Sequence, residues 1–139
     1  MTISILLPTR KRVPLIKRCT ESLLDNASDP SKIQLLYGVD DDDQESIDFL
    51  RDVKHPARSV IKFKRLGYEN LHQYNNSLAS YAQGTWIMIF NDDAIMQTKN
   101  WDLEINKFDS ELIKFIAKNS DIFEINSESD DDGECGEAD

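Results

Sequence analysis

The sequence predicts an α/β fold, a mainly parallel sheet of at least four strands with helices on both faces. Three observations predict it. Short apolar runs of strand length alternate strictly with segments of helical period. Strand–helix–strand alternation implies right-handed crossovers, so the strands run parallel. Three of the strands empty into polar clusters, Pro8-Thr9-Arg10, Asp40 to Asp43 and Asn91-Asp92-Asp93. Ligands of parallel sheets bind beyond the carboxyl ends of the strands, and all three clusters would fall there.

Ile3 to Leu7 is the first strand, closed by Pro8, and Thr9 to Val13 is a loop. Pro14 suits the first turn of a helix, where its missing N–H costs nothing. Leu15, Ile16, Cys19, Leu23 and Leu24 carry that helix at 3.6-residue spacing, and the segment Asp25 to Pro30 ends it. Ile33 to Val39 is the second strand, and Gln44 to Val53 a helix with Ile47, Leu50 and Val53 on one side. His55-Pro56 stops it. Ser59 to Phe63 is a third strand, interrupted by Lys62, and Lys64 to Tyr68 a loop. Glu69 to Ala82 is a third helix with Leu71, Tyr74, Leu78 and Ala82 inward, and Gly84 stands as its C-terminal stop. Trp86 to Phe90 is the fourth strand. Trp101 to Lys118 is a fourth helix, and Asp121 to Ile125 a further strand. Residues 1–126 therefore form one domain, and 127–139 an acidic, disordered tail.

Trp86 to Phe90 is a continuous apolar run bounded by polar residues, which reads as a strand buried on both faces. Two adjacent acids at its end need partners if they are buried. A cation is one such partner, and hard oxygen donors suit magnesium or manganese. A helix cap or Asx turn is the competing explanation, because Asn and Asp favour both. Three clusters on one edge are harder to explain by turn chemistry alone.

The chain has 139 residues, enough for one domain with a genuine core. Its net charge of −10 is uneven: Glu128 to Asp139 carries seven acids and no base, and without it 19 acids stand against 16 bases. A globally basic surface of the kind that binds nucleic acid is absent. Local basic clusters remain at Arg10-Lys11-Arg12 and at Lys62, Lys64 and Arg65. Cys19 and Cys135 are the only cysteines, on a helix face and in the polar tail, which argues against a disulfide framework. No secretory signal and no membrane-length apolar run are evident, and the expected setting is reducing and cytoplasmic. Neither G-x-G-x-x-G nor G-x-x-x-x-G-K-[ST] occurs, so dinucleotide-binding and P-loop chemistry are not indicated.

Ile5-Leu6-Leu7-Pro8-Thr9-Arg10-Lys11-Arg12, with Leu15, Cys19, Ser22, Leu23 and Leu24 behind it, resembles the opening of GT-A glycosyltransferases of family 2. Val39-Asp40-Asp41 resembles that family's second-strand acidic pair. Asn76-Ser77-Leu78-Ala79, then Ala82 and Gly84, matches the spacing that precedes its metal-binding strand. Asn91-Asp92-Asp93 sits where the family carries its DXD-type motif. The resemblance covers about residues 3 to 102. It implies a Rossmann-like sheet, truncated here, and transfer of a sugar from a nucleotide-diphospho-sugar donor, most simply a UDP-sugar, with Mg²⁺ or Mn²⁺. By the same resemblance Pro8, Thr9, Arg10, Asp40, Asp41, Asn76 and Asp92 would bind the nucleotide sugar. Asp93, with Asp92, would hold the metal, whose positive charge would offset that developing on the leaving diphosphate.

The sequence departs from the family pattern at Arg10 and Lys11, which replace an aromatic and an asparagine, and at Asp42-Asp43, which replace glycine–serine. Asn91 takes the first place of the DXD-like triplet. The acceptor-binding half, which supplies the family's catalytic carboxylate, is missing, so the base is unassigned, with Asp121, Glu124 and Glu128 candidates by residue type alone. A partner chain could supply that half. The alternative reading is a nucleotide-sugar-binding module without turnover. A receiver-like α/β domain fits poorly, because its acids would follow the first strand, where Pro-Thr-Arg stands. Asp42 and Asp43 read best as a solvated turn, and His55 and His72 as surface or helix-face residues.

Overall fold

In the computed structural model of the protein, residues 1–107 are described. Met1–Asp102 form one compact unit. Leu103 opens a second, of which only the end of helix α4 (Trp101–Lys107) is described, with Lys107 and Glu104 paired at 2.8 Å. The expected continuation of that helix, the strand at 121–125 and the acidic tail lie outside the described residues.

Among the described residues, four strands, β1 (Ile3–Thr9), β2 (Ile33–Asp40), β3 (Arg58–Phe63) and β4 (Trp86–Ile89), form one sheet in the order β3-β2-β1-β4. Every pairing is parallel. Ile3 lies beside both Ile33 and Trp86, and Asp40 beside Phe63, so all four carboxyl ends open on one edge. Side chains alternate between the faces. Leu6 and Leu36 turn toward helix α3 (Leu71–Ala79) and form a core with Leu78, joined by Ile61 and Phe63. Tyr37 turns the other way, where its hydroxyl meets Thr20 of helix α1 (Val13–Asp25) at 2.7 Å. Helix α2 (Gln44–Arg51) packs beside α1 and over β2 and β3. Helices therefore cover both faces, as the alternation of elements requires. Among the described residues no helix is long and apolar enough to cross a membrane.

The structure corrects several expectations. β4 is an edge strand among the described residues, and only alternate side chains are partly covered; Ile87 is 49% and Ile89 61% exposed. An apolar run does not reveal which of its faces finds a partner. α3 starts after a 3-10 turn (Tyr68–Asn70) and stops at Ala79, so Leu71 is exposed and Gly84 lies beyond the helix. Gly84 serves a close approach: a Cβ there would lie 2.7 Å from the backbone nitrogen of Ser4. His55 is buried, with Nε2 2.7 Å from the carbonyl oxygen of Ile33. Asp43 is buried too, contrary to a solvated turn. Its carboxylate caps α2 by accepting from Ser46 N–H at 3.3 Å and also accepts Lys11 N–H at 2.7 Å.

Candidate functional site

The carboxyl edge of the sheet forms a cleft of about 240 Å³. Its floor comes from β1 and β2 through Pro8, Thr9, Gly38 and Asp40, and one wall from Asn91, Asp92 and Asp93 after β4. Arg65, Tyr68, Tyr74 and Asn75, from the β3–α3 connection and α3, supply the opposite wall. Gly38 keeps the floor open at a tight crossing. A Cβ there would sit 3.2 Å from both Leu78 Cδ1 and Phe63 Cε1.

The acids of this edge differ sharply in environment. Asp92 is buried, and both of its oxygens are engaged. Oδ2 accepts from the Thr9 hydroxyl at 2.8 Å, and Oδ1 from the Arg12 guanidinium at 3.3 Å. Those contacts compensate the cost of removing a carboxylate from water. Asp40 is equally enclosed. Its Oδ1 accepts from the Tyr74 hydroxyl at 2.5 Å and its Oδ2 from Arg10 at 2.9 Å. Tyr74 is held in turn: its hydroxyl oxygen accepts Leu66 N–H at 2.8 Å, and its ring packs on Phe63 at 4.8 Å between centroids. Burial, and then the bond to Asp40, raise the Tyr74 hydroxyl pKa above its ordinary value. Arg10 also grips Asp42 at 2.6 and 3.0 Å. Those bonds hold the Asp42 carboxyl below the usual carboxylate range and keep Arg10 firmly protonated.

Asp93 is exposed on the cleft wall and has no salt-bridge partner among the described residues. Beneath it, the Cys19 thiol lies 3.6 Å from the Asn91 carbonyl oxygen. Burial pushes that thiol up to about 12, helped by the nearby charges of Asp92 and Asp93. The segment after Asp93 is strapped to the end of α1. Met96 N–H donates to Ser22 Oγ at 2.9 Å, and Asn26 Nδ2 to the Met96 carbonyl at 2.9 Å. Trp101 Nε1 donates to the Leu23 carbonyl at 2.9 Å, and Asp102 accepts Ser28 N–H and Asp29 N–H at 2.8 and 3.0 Å.

Of the residues singled out from the sequence, Pro8, Thr9, Arg10, Asp40, Asp92 and Asp93 line the cleft together. Asp41 does not; it is exposed, with its N–H donating to the Phe63 carbonyl at 2.7 Å. Asn76 does not either. It is exposed, and its neighbour Asn75 faces the cleft, because one helical step rotates a side chain by a quarter turn or more. The Asn75 Oδ1 atom is buried and has no hydrogen-bond partner among the described residues. Arg12, Arg65, Tyr68 and Tyr74 also line the site unannounced. For Arg12 and Arg65 a signal existed in the basic clusters, since each of these two residues follows a strand. Tyr74 was hidden by its helical period, which marks it equally well as core.

Among the described residues, no group of three or more His, Cys, Asp or Glu is placed to hold a metal ion by itself. The donor set fits a different arrangement, with one exposed hard oxygen ligand, Asp93, beside a cleft open to an anionic ligand. Magnesium commonly binds through one or two carboxylates and the phosphates of its substrate.

A Glycosyl transferase family 2 model matches residues 4–127. No curated protein matches the chain. Among solved structures, S. aureus TarS superposes with a TM-score of 0.63 at 15% identity, covering 79% of this chain and 20% of that one. TarS 1-349 in complex with UDP gives 0.61 at 14%, covering 79% and 32%. The mannosyltransferase PcManGT from Pyrobaculum calidifontis, in complex with GDP-Man and Mn²⁺, gives 0.55 at 16%, covering 67% and 28%. The chain thus spans less than a third of these solved chains. The chain agrees with them in fold, and with the family match over most of its length it belongs to glycosyl transferase family 2, with a GT-A fold.

Proposed function

We propose that the cleft binds the nucleoside diphosphate portion of a nucleotide-sugar donor, and that the chain is the donor-binding part of a glycosyltransferase. The observation that carries this reading is the convergence of Thr9, Asp40, Asp92 and Asp93 with Arg12 and Arg65 in one cleft at the carboxyl edge. Similar structures are complexes with UDP, UDP-GlcNAc and GDP-Man, which supports a nucleotide-sugar ligand. The donor is a UDP-sugar in this proposal, in keeping with the UDP and UDP-GlcNAc complexes among the similar structures.

Each residue then has a task its surroundings suit. Asp40, fixed by Tyr74, sets the nucleoside end, and the Asn75 side-chain carbonyl, without a partner among the described residues, offers a neighbouring acceptor. Arg12 and Arg65 supply positive charge for the diphosphate. Asp93 would hold Mg²⁺ or Mn²⁺ jointly with the phosphates, and Asp92 braces the wall through Thr9. When bound, the metal neutralises charge on the departing diphosphate. Asp41 and Asn76, which lie outside the cleft lining, are not assigned a binding role.

An inverting transfer needs a general base near the acceptor hydroxyl. Asp40 and Asp92 have both carboxylate oxygens engaged, and Asp42 is paired with Arg10. That favours a second reading, a donor-binding module whose acceptor half and base come from elsewhere, a partner chain included. The acceptor is a glycan, lipid or protein. Thermal melting of the full chain tests the binding claim. UDP with Mn²⁺ should raise the midpoint, since a ligand that binds only the folded state stabilises it by mass action. An unchanged midpoint at millimolar UDP would remove the donor-site reading.

A further inference from the structure

Three arginines line the cleft, and they differ in how far their charge is already met. Arg10 is held by Asp40 and Asp42, and Arg12 pairs with Asp92 at 3.3 Å. Arg65 is exposed and has no salt-bridge partner among the described residues. A long side chain on a connecting loop loses rotamer freedom when it grips an anion, so it binds best from a backbone that is already fixed. The backbone that follows Arg65 is fixed. The N–H of the Arg65–Leu66 peptide donates to the Tyr74 hydroxyl at 2.8 Å. The Leu66 carbonyl accepts from Asn70 Nδ2 at 2.7 Å, and the Gly67 carbonyl from Asn70 N–H at 3.0 Å. Gly67, at φ 88°, takes the left-handed turn between them. Tyr74 is held in turn, since its one hydroxyl proton goes to Asp40 Oδ1 at 2.5 Å in a charge-assisted bond.

We propose that Tyr74 is a positioning residue for the donor site: its hydroxyl ties the Leu66 peptide to Asp40 and so sets Arg65 to take the diphosphate. The proposal rests on the donor-site reading and deepens it. Phenylalanine at position 74 keeps the ring that packs on Phe63 and drops both hydroxyl bonds, which releases the peptide beside Arg65. A purely structural tyrosine would change stability without making the contribution of Arg65 depend on it. Asn70 secures the next peptide from the other side and makes no bond to Asp40, so Asn70→Ala loosens the same loop by a separate route.

Calorimetry of the full chain with inorganic pyrophosphate and Mn²⁺ reads the phosphate end of the cleft without the base. Arg65→Ala should lower pyrophosphate affinity roughly tenfold, the scale of a hydrogen bond to a charged group. Tyr74→Phe should lower it about fivefold, and the double variant should stay within about twofold of Arg65→Ala, because an arginine that is no longer positioned contributes little. Asn70→Ala should weaken pyrophosphate about threefold and be masked by Arg65→Ala in the same way. It decides the matter if Tyr74→Phe does not fold. Full pyrophosphate affinity in the deciding variant, losses that multiply independently when it is combined with Arg65→Ala, or a chain that binds UDP but not pyrophosphate would overturn the positioning role and leave the donor site standing. Absence of UDP binding in the unaltered chain with Mn²⁺ would overturn both.

Discussion

The Thr9 hydroxyl donates to Asp92 Oδ2 at 2.8 Å across 83 residues of sequence. That bond closes the carboxyl edge of the sheet, because Thr9 ends β1 and Asp92 follows β4, its neighbour. It is also the reason a buried carboxylate can sit one residue from the exposed Asp93. Asp92 is held, Asp93 is left available, and the wall that carries both is fixed to the sheet.

Thr9→Val should therefore destabilise the protein by about 1–3 kcal/mol, the cost of leaving a buried acceptor unsatisfied at nearly constant side-chain volume. Thr9→Ser, which restores the hydroxyl, should recover most of the loss. Urea unfolding of the three proteins checks this, and equal midpoints would show that the bond contributes nothing.

Gly84→Ala should be more damaging than its small size suggests. The added carbon would meet Ser4 N at 2.7 Å and Ile3 C at 2.9 Å, both backbone atoms of the central strand. Around it, Gly84 N–H donates to Ser4 Oγ at 2.8 Å, and Ser4 Oγ to Gln34 Oε1 at 2.6 Å. Rigid neighbours on this network cannot yield cheaply, so a loss of about 2 kcal/mol is expected, near 10 °C in melting temperature. A shift under about 2 °C would show that the strands separate easily at this point.

Alkaline stability should follow two buried groups. Burial raises the Cys19 thiol from 9.0 to about 12, and the Tyr37 hydroxyl from 10.0 to about 12. In both cases the folded state holds the proton more tightly than the unfolded state. The stability they contribute is therefore complete below about pH 9 and declines as pH rises from 9 toward 12. Tm should be level from pH 7 to about 8.5 and then fall, less steeply in Cys19→Ala between pH 9 and 10. Identical slopes in the two proteins would remove Cys19 from the account.

Much of this could be read in the sequence, for identifiable reasons. Alternating periods set the parallel sheet, and parallel strands carry their closing residues to one edge, so Thr9 and Asp93 could be placed from order alone, whereas Asp41, expected beside them, lies outside the cleft lining and Asp40 lines it instead. What could not be read are pairings set by register between distant segments. Arg10 read as a nucleotide-sugar ligand, but residues 30 and 32 positions away absorb its charge. Asp43 stood in a tetrad that read as solvated, although Asp43 with Ser46 three residues on is a recognisable helix start. Asn76 and Asn75 differ by one helical step, and family spacing favoured the residue that faces solvent. The one-sided exposure of β4 depends on what lies beside it, which no local pattern encodes.

The central claim is that the carboxyl edge binds a nucleoside diphosphate with a divalent cation held at Asp93. Calorimetric titration of the full chain with UDP, with and without Mn²⁺, and the same pair for Asp93→Ala, tests it most directly. The diphosphate would enter a cleft bordered by Asp40, Asp92 and Asp93, where like charges close together repel unless a cation lies between them. Mn²⁺ should therefore tighten UDP binding by roughly tenfold or more in the unaltered chain, and Asp93→Ala should abolish that difference. Equal affinity with and without the metal, or no binding in either condition, would contradict the account.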